Sequence, residues 1–196
     1  MKLKQLLNSS SLLIGLTLVL VAVIAKRETI NGATSKAISK IIFNDDNYAE
    51  EYTVKEGSIY DGDTLRLIGN NEELKVRLCG IDAPEKEMPL GIEARDYLRS
   101  LIAKGDGTVY LVRAGEDRYG RTVAELFMPL KDKPDQEIHL NTEMIMAGMA
   151  WHYKQYSGNC PNQYGFEIAE SIARDEKVGV YSGSHIEPWL WRSANK

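Results

Sequence analysis

Two short runs, Thr64–Ile68 and Leu74–Cys79, alternate apolar and polar side chains on either side of Gly69-Asn70-Asn71. Alternation of period two marks a half-buried strand, and a Gly/Asn turn between two such runs marks a hairpin. Leu65 and Leu67 share one face, with Arg66 opposite. In the second run Leu74, Val76 and Leu78 share a face, and Lys75, Arg77 and Cys79 take the other. A strand over Tyr52–Tyr60 is expected ahead of them, ending at the turn signal Asp61-Gly62. The three together predict a meander.

The remainder is mixed. Leu90–Lys104 reads as a helix with an apolar stripe of Ile92, Tyr97, Leu98, Leu101 and Ile102, stopped by Gly105 and Gly107. Thr108–Arg113 and Thr122–Met128 read as strands on either side of the polar loop GEDRYGR. Lys131–Gln136 reads as a polar turn containing Pro134. A second helix is expected over Leu140–Ala150, capped by Asn141 or Thr142, with Met144, Ile145 and Met149 toward the core. A third follows over Tyr164–Glu176 through Phe166, Ile168, Ala169, Ile172 and Ala173. Five strands with one helix after the third suit an α+β fold of the OB type, a closed five-stranded Greek-key barrel, here with three helices.

Residues 1–25 stand apart. Lys2 and Lys4 precede an apolar run, Leu12–Ala25, interrupted only by Gly15 and Thr17. That length suits a signal-peptide core better than a membrane span. Joined to Leu6 and Leu7, and followed by Lys26 and Arg27, the same run reads as an uncleaved anchor over residues 6–25. Either reading puts the folded part outside the cytoplasm, secreted, periplasmic or anchored. The expected organisation is signal peptide or anchor over 1–25, polar linker over 26–51, folded domain over 52–182 and tail over 183–196. The formal net charge of the chain is −4, a poor match for tight, nonspecific duplex binding. Two cysteines allow one disulfide at most. Cys79 reads as a small core residue, and Cys160 as an exposed loop thiol or a bridge partner. His152, within an aromatic trio, reads as structural.

The chemistry concentrates at two acidic turns at the ends of the hairpin strands. Asp61 and Asp63 flank Gly62, and Asp82 and Glu85 lie in IDAPE. Carboxylates converging from two such turns can offer three or four oxygens to a hard divalent cation such as calcium. Such an ion, with arginines that fork onto phosphate oxygens, is what phosphodiester hydrolysis needs. Asp63, Asp82 and the backbone carbonyl of Ala83 are the candidate metal ligands, and Glu85 the candidate holder of a water. Arg77 and Arg121 are candidate phosphate contacts; Tyr119 and Tyr153 are candidate substrate contacts. Each feature also has a plainer reading: Asp61-Gly62-Asp63 as an ordinary turn, Asp82-Ala83-Pro84-Glu85 as a helix cap, Arg77 as a solvated strand residue.

In combination, YDGDT, RLCGIDAPE and DRYGR, in this order and at these separations, resemble the thermonuclease family, the staphylococcal-nuclease-like proteins, across Tyr52 to Ser182. The resemblance implies an OB barrel with three helices and calcium-dependent cleavage of DNA and RNA that leaves 3′-phosphates. It implies calcium ligation by Asp63 and Asp82, a debated general-base role for Glu85, and phosphate contacts from Arg77 and Arg121. It further implies substrate contacts from Tyr119 and Tyr153, and a supporting place for Asp61. The protein is expected to act as a monomer. The WLWRS tail lies outside the shared region, and the family's familiar secreted member is strongly basic where this chain is acidic. The alternative from another class is a non-catalytic OB module that binds nucleic acid or protein; an oligosaccharide-binding module ranks last, having no use for the arginine pair.

Overall fold

Asn70 and Asn71 both take left-handed backbone (φ 50° and 62°), the conformation a two-residue primed turn needs and one that asparagine tolerates. They join β2 (Thr64–Gly69) to β3 (Glu72–Leu78) in a register that pairs Gly69 with Glu72 and Thr64 with Arg77. The loop is therefore two residues, with Gly69 closing the strand. The computed structural model describes residues 49–195; the segment expected to target or anchor the chain, and most of the expected linker, lie outside them.

β1 (Glu50–Val54) pairs with β2 on one side and with β5 (Thr108–Glu116) on the other. It is shorter than the sequence suggests and starts two residues earlier, because Glu56-Gly57 turns the chain, with Gly57 at φ 69°. β5 pairs with β6 (Thr122–Leu130), and β6 runs parallel to β3, matching Val76 with Thr122 and Arg77 with Val123. That pairing closes the sheet β3-β2-β1-β5-β6 into the five-stranded barrel expected. Leu65, Leu67, Val76, Leu78, Val109, Leu111, Ala124, Leu126 and Met128 fill the interior.

The polar stretch expected as a turn is instead β7 (Lys133–His139), an edge strand hairpinned to β6. Its composition hid it: an edge strand needs no apolar alternation, and charged residues and proline are what such edges carry. A two-residue strand, β4 (Ile81–Asp82), pairs with β8 (Trp151–His152), so Asp82 sits on a strand rather than in a free turn.

The helices are α1 (Gly91–Ile102), α2 (Leu140–Met146), α3 (Gln163–Glu176) and α4 (Pro188–Ala194), one more among the described residues than expected. The expected stripes are rotated. α1 buries Gly91, Ala94, Leu98 and Leu101 and leaves Ile92 exposed; α3 buries Phe166, Ala169, Glu170 and Ala173 and leaves Ile168 and Ile172 at the surface. Leu98 and Leu101 on α1 and Phe166 on α3 supply the bulk of these buried faces, with alanines between them. Asn141 does not cap α2. It lies inside the helix, fully buried, where its Oδ1 accepts from the Leu126 amide (3.1 Å) and its Nδ2 donates to the Cys79 carbonyl (2.9 Å). Thr142 does not cap it either; its hydroxyl pairs with His139.

Cys79 and Cys160 form a disulfide across 81 residues of sequence, and both are buried, so Cys160 is the bridge partner and not an exposed thiol. The bond ties the end of β3 to the approach to α3. His152 is structural, as expected: its Nε2 pairs with Ser157 Oγ (3.0 Å) and its Nδ1 lies 3.3 Å from Glu170. Burial holds its pKa below the ordinary 6.5, against the opposing pull of Glu170. A histidine depressed in the folded state contributes stability above pH 6.5 that is lost as pH falls below it. The melting temperature should therefore drop between pH 7 and pH 5, and a His152→Gln variant should show a flatter profile over that window. Reduction of the disulfide should cost about 4 kcal/mol by the loop-closure estimate, read as a lower denaturant midpoint in dithiothreitol.

Candidate active site

The register Thr64↔Arg77 places Asp63, one residue before β2, beside the C-terminal end of β3, and the Leu78 amide donates to the Asp63 carbonyl (2.8 Å). Gly80 then turns the chain back through β4, which carries Asp82. The glycine of the first acidic turn is a packing requirement: a Cβ on Gly62 would lie 2.7 Å from that of Ala83 and 2.8 Å from that of Ala94. No larger residue lets the Asp61-Gly62-Asp63 turn, the Asp82–Glu85 turn and α1 meet this closely. At Gly91 a Cβ would run into the backbone of Glu85. α1 starts from Leu90 without any side-chain cap, so Asp82–Glu85 does not serve as one.

Arg77 joins the two acidic turns. Its Nη1 lies 2.8 Å from Asp63 Oδ2 and its Nη2 donates to Asp82 Oδ1 at 2.6 Å; its side chain is only 12% exposed. It is a buried bridge and not a solvated strand residue. Asp63 is further held by the Ala83 amide (2.7 Å to Oδ2) and the Thr64 hydroxyl (3.0 Å to Oδ1). Asp61 turns inward on its own loop, where Oδ1 accepts from the amides of Asp63 (3.1 Å) and Thr64 (2.7 Å). It shapes the turn that presents Asp63.

Arg121 reaches the same place from the β5–β6 loop. Asp117 accepts from its Nε (2.7 Å) and from its backbone amide (3.0 Å). That anchoring turns Nη1 toward Thr64 Oγ1, 3.4 Å away. Gly120, at φ 70°, permits the turn. Tyr119 is exposed, with the guanidinium groups of Arg118 and Arg121 over its ring at 4.9 and 5.6 Å. Tyr153 follows β8, opposite Gly80, whose carbonyl accepts from its amide (2.8 Å), and its ring packs at 4.7 Å against that of Tyr156. All eight residues singled out in the sequence line one open groove of about 770 Å³.

The groove holds residues that sequence reasoning missed. Thr64 and Asp117 orient Asp63 and Arg121. Arg192, from α4, donates to Asp82 Oδ2 (2.7 Å) and to Glu85 Oε1 (2.7 Å). The only signal for Arg192 was an arginine among tryptophans in a tail that resembled nothing.

The donor set suits a hard cation. Among the described residues no group of three or more His, Cys, Asp or Glu side chains is arranged to hold a metal ion by itself. Asp63 and Asp82 nevertheless meet at the two ends of one guanidinium, with Ala83 between them and Glu85 close by, so the available donors are all oxygens. Burial, followed by the charge of Asp63, pushes the Asp61 carboxyl up to about 6; burial likewise raises Asp82, against the pull of Arg77.

A family model described as staphylococcal nuclease homologue matches residues 75–183. The chain belongs to this family. A micrococcal nuclease of Shigella flexneri is 36% identical over 141 residues, covering 70% of this chain and 79% of that protein. An uncharacterized endonuclease of Haemophilus influenzae is 37% identical over 149 residues, 75% and 76% of the two chains. The Arabidopsis thaliana staphylococcal-like nuclease CAN1 is 36% identical over 153 residues, 74% of this chain and 43% of that one. As a staphylococcal nuclease homologue, the chain has an OB barrel with β4, β7, β8 and α4 added to the elements expected.

Gly62→Ala should destabilise the fold by about 1–3 kcal/mol, the cost of overpacking a tight contact, measured by urea denaturation. Glycine is the only residue that fits, so Gly62→Ser should fare no better.

Proposed function

We propose that the protein is a calcium-dependent nuclease that hydrolyses phosphodiester bonds of DNA and RNA and leaves 3′-phosphates. The observation that carries the reading is the convergence of Asp63, Asp82 and Glu85 with Arg77 and Arg121 in one groove, on a fold whose family includes named nucleases. A non-catalytic binding module has no use for buried carboxylates gathered around a guanidinium.

Asp63, Asp82 and the Ala83 carbonyl are the residues that would hold calcium, and the ion would supply a Lewis-acid contact for a phosphate oxygen. Glu85, paired with Arg192 and with its side chain 31% exposed, would accept a hydrogen bond from the attacking water and take its proton. Arg121 is already oriented by Asp117, so its terminal nitrogens can meet the charge that develops on the phosphate at little ordering cost. Arg77 holds the two acidic turns together and reaches a phosphate only by giving up one of those carboxylates. Tyr119 offers an exposed ring to the sugar or base of the substrate, while Tyr153, its ring stacked under Trp189, has its hydroxyl edge left for such a contact.

We place the active protein outside the cytoplasm. The buried Cys79–Cys160 bridge supports an oxidising compartment, and a site with few carboxylates suits the high calcium found outside cells. Among the described residues no helix is long and apolar enough to cross a membrane.

Single-stranded DNA should be degraded in calcium and left intact in chelator, with acid-soluble nucleotide as the readout. Absence of cleavage across a calcium and pH series overturns the reading. Arg121→Gln should lower kcat by about 10²–10³, the cost of one transition-state donor, with an unchanged melting temperature.

A further inference from the structure

The C-terminal helix carries two side chains into the groove from one of its faces. Pro188 opens α4, and Trp189 and Arg192 lie three residues apart, so both point the same way. Trp189 stacks flat on Tyr153, with ring centroids 4.8 Å apart and planes 2° from parallel, and meets the edge of Trp151 at 6.5 Å. This stack fixes the helix against β8. One turn on, the Arg192 guanidinium spans two carboxylates: Nη2 to Asp82 Oδ2 at 2.7 Å, Nη1 to Glu85 Oε1 at 2.7 Å.

The two carboxylates depend on Arg192 to different degrees. Asp82 is also held by Arg77 at 2.6 Å, and its side chain is almost fully buried. Glu85 is half-buried, and Arg192 is the only cationic side chain paired with it among the described residues. Removing Arg192 therefore leaves Asp82 in place and releases Glu85. It also removes a positive charge from beside the oxygens that would hold a cation, and charges this close repel.

We propose that Arg192 is a positioning residue of the active site, which makes α4 part of the catalytic apparatus: it holds Glu85 in the orientation that engages the attacking water, at a cost in calcium affinity. The inference rests on the nuclease reading above. A guanidinium can bridge two carboxylates through separate nitrogens, whereas an ammonium offers one compact charge. Lysine at this position should thus keep the electrostatic effect and lose most of the bridging.

The test uses the full chain as wild type, Arg192→Ala and Arg192→Lys. Calcium binding is measured by titration calorimetry without substrate. Turnover is measured on a short single-stranded deoxyoligonucleotide at saturating calcium. Arg192→Ala should bind calcium at least ~3-fold more tightly, from the lost repulsion. Its kcat should fall by about 10²-fold, the scale of a misplaced catalytic group, with KM within about 3-fold. Arg192→Lys should hold calcium affinity near wild type and recover only part of kcat. A merely structural role predicts that calcium affinity and kcat weaken together, and that result overturns the proposal. So does an Arg192→Ala variant that turns over at or above the wild-type rate, which would make α4 inert or a block. A wild-type protein that binds calcium and cuts nothing ends the nuclease reading itself, whereas an active wild type with an unaffected Arg192→Ala ends only this inference.

Discussion

One guanidinium holds the two halves of the site together. Arg77 leaves the barrel wall at the end of β3 and sets its nitrogens against Asp63 from one acidic turn and Asp82 from the other. Buried charges persist only when paired, and removing one member strands the rest. The bridge in turn depends on register. A slip of one residue between β2 and β3 would turn Arg77 to the opposite face and part the acidic turns. Asn70 and Asn71 guard against that slip, since the two-residue turn they form sets which residues face each other. A local backbone preference in a hairpin loop thus fixes the geometry of carboxylates at the far end of the same hairpin.

The bridge leaves the site short of positive charge. Four carboxylates, Asp61, Asp63, Asp82 and Glu85, gather about two guanidinium groups, Arg77 on Asp63 and Asp82 and Arg192 on Asp82 and Glu85, while Arg121 spends one of its nitrogens on Asp117. Burial pushes the Asp61 and Asp82 carboxyls upward despite the arginines. Under the proposed function, a divalent cation among these oxygen donors would offset that excess of carboxylates. Closure of the barrel completes the arrangement, because the parallel β3–β6 pairing sets Val123 against Arg77 and brings the Arg121 loop to Thr64. The Cys79–Cys160 bridge and the buried Asn141 brace β3 just beyond Arg77, so the wall that carries it is held from behind.

Much of this was legible in the sequence where the physics is local. The hairpin, the break at Gly80 and the spacing of the acids follow from alternation and turn chemistry, and the barrel follows from element order. The misses share a cause: they depend on neighbours that a single strand or helix does not reveal. β7 carries no alternation because an edge needs none. The buried faces of α1 and α3 run through Ala94, Leu98 and Leu101 and through Phe166, Ala169 and Ala173, so Ile92, Ile168 and Ile172 fall on the solvent side. Asn141 looked like a cap by type, yet its amide is used inside the core. Arg192 showed only as an arginine among tryptophans, since its place comes from where Trp189 docks rather than from any pattern around it.

The claim at the centre of this account is that Asp63 and Asp82, drawn together by Arg77, make the cation site of a nuclease. A crystal structure of the protein grown with calcium addresses it directly. The account predicts an anomalous peak between the carboxylates of Asp63 and Asp82, in contact with the Ala83 carbonyl, and its loss in Asp82→Asn. A calcium ion bound elsewhere in the groove, or a peak that survives Asp82→Asn, would contradict it.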